Sequence, residues 1–180
     1  IIEDASHSLG ASRKFSRVGN CKWSDITIFS FHPVKMITTG EGGMALTNNK
    51  KNFERMKMFM NHGITRDKKK LIKKNYGFWH YEQQLLGFNY RMNEISAALG
   101  LSQLKKLNFF VKKRNKLAKN YKNLLKNLPL KYQKIIKHNK SSYHLFIVML
   151  DLKKIKKNYN TIFNNLRKKG LYVNLHYSSI

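Results

Sequence analysis

The 180-residue chain has little cysteine, few acidic residues and no long apolar run. Its single cysteine, Cys21, can form neither an internal disulfide nor a cysteine-based metal site alone. This favours a reducing compartment, the cytoplasm, and an ordinary loop or packing role for the thiol. No apolar run approaches the length of a membrane-spanning helix, and the composition, with 42% hydrophobic residues, is that of a globular protein.

The scarcity of acidic residues produces a large positive charge. Nine Asp and Glu stand against 36 Lys and Arg, for a formal net charge of +27, which raises the alternative of a basic nucleic-acid-binding module. Only 7 of the 36 basic residues are Arg, the better residue for bidentate contacts to phosphates and bases. Joint enrichment of Lys and Asn instead indicates an AT-rich coding bias, which places these residues on solvated faces of the protein. The charge also favours the approach of a doubly anionic substrate.

Local patterns predict a mixture of strands and helices. Segments rich in β-branched and aromatic residues predict strands, the first of them buried, at 1–5, 26–31, 44–47, 143–150 and 171–177. Apolar residues at helical spacing predict helices at 50–61, 93–104, 109–125 and 158–169, with Asn93 as an N-cap. The segments that read as loops or connectors are 8–23, the glycine turn 38–43, the basic stretch 65–76 and 131–140.

The order of these elements indicates two domains. Residues 1–112 are expected to form the C-terminal part of a large α/β domain, and residues 113–180 the start of a smaller α+β domain. Both ends of the sequence resemble interrupted strands. We therefore expect the chain to be the central part of a longer protein and to be inactive alone.

Residues with the chemistry of a pyridoxal-phosphate (PLP) site lie in the first third of the chain. Asp4 and Ser30 each end a predicted strand, Lys35 follows Ser30 by five residues, and a Gly-Glu-Gly-Gly run occupies 40–43. A lysine amine can bond the cofactor aldehyde and move a proton, and a carboxylate can keep the pyridine nitrogen protonated. Hydroxyls and backbone N–H groups can hold the phosphate. Each residue alone is more often structural, so the prediction depends on their combination and order.

Four segments carry a family resemblance: residues 3–7, 30–35, 39–43 and 86–91. They resemble the DegT/DnrJ/EryC1/StrS family of PLP-dependent sugar aminotransferases, and the similarity covers nearly the whole chain in order. The resemblance implies the aspartate-aminotransferase fold (fold type I), with a large α/β domain and a smaller C-terminal α+β domain.

The same resemblance implies the cofactor-binding roles. Asp4 would pair with the pyridine nitrogen, His7 would lie by the 3-hydroxyl edge of the ring, and Ser30 would bind the phosphate. Lys35 would be the catalytic Schiff-base lysine. Asn89 would reach the phosphate of the neighbouring subunit's cofactor, which would make a homodimer necessary for activity.

The sequence of residues 31–43 most resembles that of a subgroup of the family that acts in pseudaminic acid synthesis. It implies transfer of an amino group from L-glutamate to the C4 ketone of a UDP-linked 4-keto-6-deoxy sugar, for cell-surface glycan biosynthesis. Candidate substrate contacts are Glu41, Tyr90, Arg91 and His176, each of which has a structural alternative. No metal site is predicted. A catalytically inactive family member with a sensor or regulatory role stays open as an alternative.

Overall fold

The computed structural model describes residues 1–73 and 77–177. They divide into two compact units, one within 1–118 and 135–144 and the other within 119–134 and 145–177. Among the described residues, none of the helices combines the length and hydropathy that crossing a membrane requires.

Nine short strands and four helices make up the described secondary structure. The strands are β1 (Ile2–Asp4), β2 (Ser12–Arg13), β3 (Ser16–Arg17), β4 (Ile26–Ser30), β5 (Gly43–Leu46), β6 (Ile64–Thr65), β7 (Glu82–Gln83), β8 (Leu130–Tyr132) and β9 (Val148–Leu150). The helices are α1 (Lys50–Phe59), α2 (Glu94–Leu104), α3 (Leu107–Leu124) and α4 (Tyr159–Lys168).

A three-stranded sheet with the order β1-β4-β5 organises the first unit. β1 runs parallel to β4, with Asp4 opposite Ile28, and β5 runs antiparallel to β4, with Ser30 opposite Gly43. The predicted hairpin around the glycine turn is therefore confirmed. Because side chains alternate along a strand, Asp4 and Ser30 lie on the same face of the sheet, at the carboxyl ends of two parallel neighbours.

The other face of this sheet carries the core. The buried apolar residues of the cluster are Ala5, Phe29, Phe31 and Ile37, and partly buried side chains pack against it: Leu9, Val18, Leu46, Met92, Leu107 and Phe110. Phe29 and Phe31 are only 5% and 6% exposed. Their position places the core directly beneath the start of the loop that leaves β4.

The prediction that residues 1–5 form a buried strand is wrong in its burial. β1 is a strand, yet the Ile2 side chain is 67% exposed. β1 has one neighbour in its sheet and Ile2 points away from the face that holds Phe29. β-branched composition indicated the strand correctly, but burial depends on what packs against the face.

Asparagine side chains begin three of the helices. Asn49, Asn93 and Asn158 accept hydrogen bonds from the backbone N–H three residues later, at 3.1, 2.8 and 2.8 Å. Such a cap satisfies one of the backbone donors that a helix start leaves unpaired. The four predicted helices and the Asn93 cap are confirmed, with bounds that shift by a few residues.

The strand predictions near the C-terminus are partly wrong. The predicted strand 143–150 is confined to β9, because only Val148–Leu150 pair with a neighbouring strand. At the start of the segment, the Arg114 guanidinium donates to the carbonyls of Tyr143 and His144, at 3.1 and 2.9 Å. β9 pairs with β8, whose last two residues lie in the stretch 131–140 that was expected to be a polar connector.

Residues 171–177 form no strand in the described chain. The backbone N–H of Leu171 instead donates to the Leu166 carbonyl at 3.0 Å, which closes the end of α4. The Arg167 guanidinium donates to the Val173 carbonyl at 2.9 Å. These local partners take up backbone groups that a strand would offer to a neighbour.

Candidate functional site

Lys35 lies in the loop that joins β4 to β5. The loop is closed at its base because the Phe31 N–H donates to the Gly42 carbonyl at 2.8 Å and the Thr39 N–H donates to the Phe31 carbonyl at 3.1 Å. Within it, the Lys35 N–H donates to the His32 carbonyl at 2.9 Å. The backbone of Lys35 is therefore fixed, while its side chain stays half-buried.

Two glycines allow this loop to bend where it enters β5. Gly42 has a φ of +152°, and a Cβ there would lie 2.5 Å from the Thr39 hydroxyl oxygen. A Cβ at Gly43 would lie 2.7 Å from the Phe29 carbonyl oxygen. Both distances are shorter than real Cβ contacts, so a side chain at either position would displace the loop that carries Lys35.

Asp4 presents an ionised carboxylate near Lys35. The Ser6 hydroxyl and the Ser6 backbone N–H donate to this carboxylate and lower the pKa of Asp4. Electrostatic interactions with His7 and Lys35 lower that pKa further, by smaller amounts. The structure thus brings Asp4, His7 and Lys35 within electrostatic reach of one another, and Ser30 ends the neighbouring strand on the face of Asp4.

His7 is held by two residues that sequence reasoning missed. Its ring lies 4.4 Å from the ring of His144, measured between centroids, and its backbone carbonyl accepts from the Ser142 hydroxyl at 3.2 Å. Ser142 is 1% exposed. The sequence held one signal of this contact, His144 in the otherwise apolar segment 143–150. The prediction of a strand there gave the histidine no separate role.

Asn89, Tyr90 and Arg91 lie together against the end of α1. Asn89 forms an isolated bridge with Asn61, and the Arg91 guanidinium donates to the Asn61 side-chain oxygen at 2.6 Å. The Tyr90 N–H donates to the Met60 carbonyl at 3.0 Å, and 72% of Tyr90 is exposed. These three predicted site residues therefore share one exposed segment, which is separate in the chain from the Lys35 loop.

The last two candidate substrate contacts, Glu41 and His176, each lie near one side chain. Glu41 lies in the Lys35 loop, with a carboxylate oxygen 3.8 Å from the His32 imidazole, and its side chain is 80% exposed. His176 belongs to the second unit, where its ring lies 4.6 Å from that of Tyr177. Their assignment to a substrate stays a prediction.

Comparison with known proteins gives one consistent result. The model of the DegT/DnrJ/EryC1/StrS aminotransferase family matches residues 1–180. A UDP-4-amino-4,6-dideoxy-N-acetyl-beta-L-altrosamine transaminase of Campylobacter jejuni is 39% identical over 178 residues, which are 98% of this chain and 44% of that protein. The chain thus spans less than half the length of this curated relative.

Solved structures agree with the sequence relatives. PseC of Helicobacter pylori, an aminotransferase in pseudaminic acid biosynthesis, matches with a TM-score of 0.79 and 36% identity, over 94% of this chain and 43% of PseC. The PLP form of the sugar aminotransferase Spr1654 from Streptococcus pneumoniae matches with a TM-score of 0.82 and 27% identity, over 98% of this chain and 43% of Spr1654. The predicted PLP-transferase fold is confirmed.

Proposed function

The chain belongs to the DegT/DnrJ/EryC1/StrS aminotransferase family, and from this premise we propose that Lys35 carries PLP in a nucleotide-sugar aminotransferase. The full-length protein would move an amino group from L-glutamate to the C4 ketone of a UDP-linked 4-keto-6-deoxy sugar, for cell-surface glycan biosynthesis. The similarity to the altrosamine transaminase and to PseC supports this substrate class. The observation that carries the proposal is the position of Asp4 at the end of β1, beside β4 and the loop after β4 that carries Lys35.

The chemistry of the described residues fits PLP. Lys35 is a half-buried amine in a fixed loop, Asp4 is a carboxylate with a lowered pKa, and Ser30 supplies a hydroxyl at the end of the adjacent strand. These are the three functional groups that the cofactor's aldehyde, ring nitrogen and phosphate require. Asp4 and Ser30 also share one face of the sheet.

Each residue has a definite task in amino transfer. Bound PLP supplies an aldehyde for the amine and a ring that withdraws electrons. The Lys35 amine would hold the cofactor through its aldehyde carbon, with release of water, and would move the proton during transfer. Asp4 would keep a proton on the ring nitrogen, because an ionised carboxylate favours an adjacent positive charge. Ser30 would hold the phosphate, and His7, whose backbone carbonyl accepts from Ser142, would border the ring.

A homodimer would complete this site. Large apolar side chains are highly exposed around the Asn89 segment, with exposed fractions of 92% for Phe78, 82% for Leu86 and 85% for Ile95. Extensive apolar exposure of this kind marks interaction surfaces. We propose that a second subunit covers them and that Asn89 reaches the partner's cofactor phosphate. The cytoplasmic location stays a prediction.

The test is the absorbance spectrum of the full-length protein with PLP. We expect a band at roughly 410–430 nm, as for PLP bonded to a lysine amine. Lys35→Ala should abolish it, whereas Lys51→Ala, on the exposed side of α1, should leave it unchanged. Absence of the band from the folded parent protein would refute the cofactor assignment. A band without turnover of any UDP-keto-sugar in the presence of glutamate would favour the sensor alternative.

A further inference from the structure

A cleft of about 490 Å³ lies beside α1, on residues that the proposed PLP chemistry does not use. One wall comes from α1 and the residues that follow it, and the other from β6 and the turn after it. The lining residues are Phe53, Glu54, Lys57, Met58, Asn61, Ile64, Thr65, Arg66, Asp67 and Lys70. This volume lies within the range of small-molecule sites.

The acidic groups in the cleft already have partners. The Lys70 ammonium lies 3.0 Å from the Glu54 carboxylate, and the Lys69 backbone N–H donates to the Asp67 carboxylate at 3.1 Å. The Lys70 backbone N–H also donates to the Asp67 carbonyl at 2.8 Å, so Asp67 shapes the turn. The pKa of Glu54 is lowered by its hydrogen bond and charge interaction with Lys70. These carboxylates are therefore engaged within the protein.

Two cations in the cleft have aromatic neighbours instead of carboxylates. The Arg66 guanidinium lies 5.6 Å from the centroid of the Tyr81 ring, and the Lys57 ammonium lies 6.0 Å from that of Phe53. Within residues 1–73 and 77–177, neither forms an ion pair with a carboxylate. A cation–π contact of this kind orients a guanidinium without neutralising it, which leaves Arg66 able to receive an anion.

The cleft also offers a surface for a planar group. Phe53 is 55% exposed, and Met58 and Ile64 extend the same lining. An aromatic face beside two cations is suited to a ligand that carries phosphate and a heterocyclic base, because the base stacks while the phosphate pairs with the cations. An inorganic anion alone would use only half of this lining.

We propose that the cleft is a second small-molecule site, which binds a nucleoside diphosphate. The phosphates pair with Lys57 and Arg66, and the base packs on Phe53. Asn61, which lines the cleft, accepts from Arg91 at 2.6 Å and forms the bridge with Asn89. Asn61 therefore links the cleft to the segment proposed to complete the partner's cofactor site. The binding itself does not rest on the proposed aminotransferase reaction.

The experiment is calorimetric titration of the full-length protein with UDP and, separately, with inorganic pyrophosphate. Lys57→Gln and Arg66→Gln should each weaken one class of UDP sites about tenfold or more, because each removes a charge-assisted contact. Lys51→Gln and Arg55→Gln remove the same charge from α1 outside the cleft lining, and should change the affinity less than about twofold. Phe53→Ala should weaken UDP binding and leave pyrophosphate binding unchanged.

The outcomes separate this site from the PLP site. Lys57→Gln and Arg66→Gln should weaken UDP binding and retain the absorbance band, whereas Lys35→Ala should lose the band and retain UDP binding in the cleft. Equal weakening by the cleft and control variants would reduce the effect to general charge attraction and overturn the proposal. Unchanged UDP affinity in both Lys57→Gln and Arg66→Gln would also overturn it, whatever the absorbance spectrum shows.

Discussion

Truncation of Phe31 tests whether the core beneath the β4–β5 loop holds Lys35 in place. Phe31 is 6% exposed, and its backbone N–H and carbonyl make the hydrogen bonds that close the loop. Phe31→Ala keeps those backbone groups and removes only the ring. Any loss of unfolding free energy therefore reports the packing of the ring. The effect on the loop is measured separately, as a change in the affinity for PLP.

The magnitude follows from the burial of the ring. Phe31→Ala removes roughly 100 Å² of buried apolar area, or about 2.5 kcal/mol at ~25 cal/mol per Å². A cavity that the surroundings fill only in part raises the expected loss of unfolding free energy to about 3–5 kcal/mol. Because the loop also loses its support, we expect weaker PLP binding, seen as a higher PLP concentration at half-maximal absorbance near 420 nm, roughly the centre of the imine band.

Urea denaturation of the full-length protein, followed by circular dichroism, measures the stability term. The control is Phe15→Ala, since Phe15 is 79% exposed and should change the free energy of unfolding by less than about 0.5 kcal/mol. A loss below about 1 kcal/mol for Phe31→Ala, at an unchanged denaturant slope, would refute the packing argument. Unaltered PLP affinity together with a large stability loss would refute the link between core and loop.

Two further substitutions test individual contacts. Gly42→Ala should weaken PLP binding and cost about 1–3 kcal/mol, because the added Cβ would lie 2.5 Å from a threonine hydroxyl oxygen at a φ of +152°. Gly40→Ala, at a φ of +81°, introduces the strain of a positive φ but meets no atom within 4 Å, so a larger effect there would contradict the steric reason. Glu82 accepts the N–H groups of Ile72 and Lys73 at 2.7 and 2.8 Å, which helps to lower its pKa from 4.5 to about 2. The ionised Glu82 carboxylate contributes to stability above about pH 4.5, and this contribution is lost as the pH falls towards 2. Hydrogen exchange should show those amides losing protection over this range, and Glu82→Gln should remove the pH dependence; a pH dependence that persists in the variant would assign it to another group.

Local signals sufficed for much of the fold. Helix periodicity and capping depend on residues three or four apart, so α1, α2, α3 and α4 could be predicted from the sequence with the Asn93 cap. The β4–β5 hairpin depends on a glycine turn between two short apolar runs, which is also local. The family resemblance then supplied the fold type, which the solved structures confirm.

Strand burial and strand length were beyond local reasoning. β1 was expected to be buried, but the exposure of Ile2 depends on what packs on one face of the sheet. Within the apolar run at 143–150 only Val148–Leu150 pair with β8, and Arg114, distant in sequence, donates to the carbonyls of Tyr143 and His144. A hydrogen-bonding partner of this kind leaves no periodic trace in the segment that it binds.

The sequence by itself determined which chemical groups the candidate site contains and their order along the chain: a carboxylate at Asp4, a hydroxyl at Ser30 and an amine at Lys35. Only the tertiary structure decided which side chains support them, since Ser142 and His144 reach His7 from more than a hundred residues away. It also decided that the cations of the α1 cleft, Lys57 and Arg66, face a common space. The reason is physical: residue type fixes what a group can do, whereas distance, burial and the choice of partner arise only when separate segments pack together.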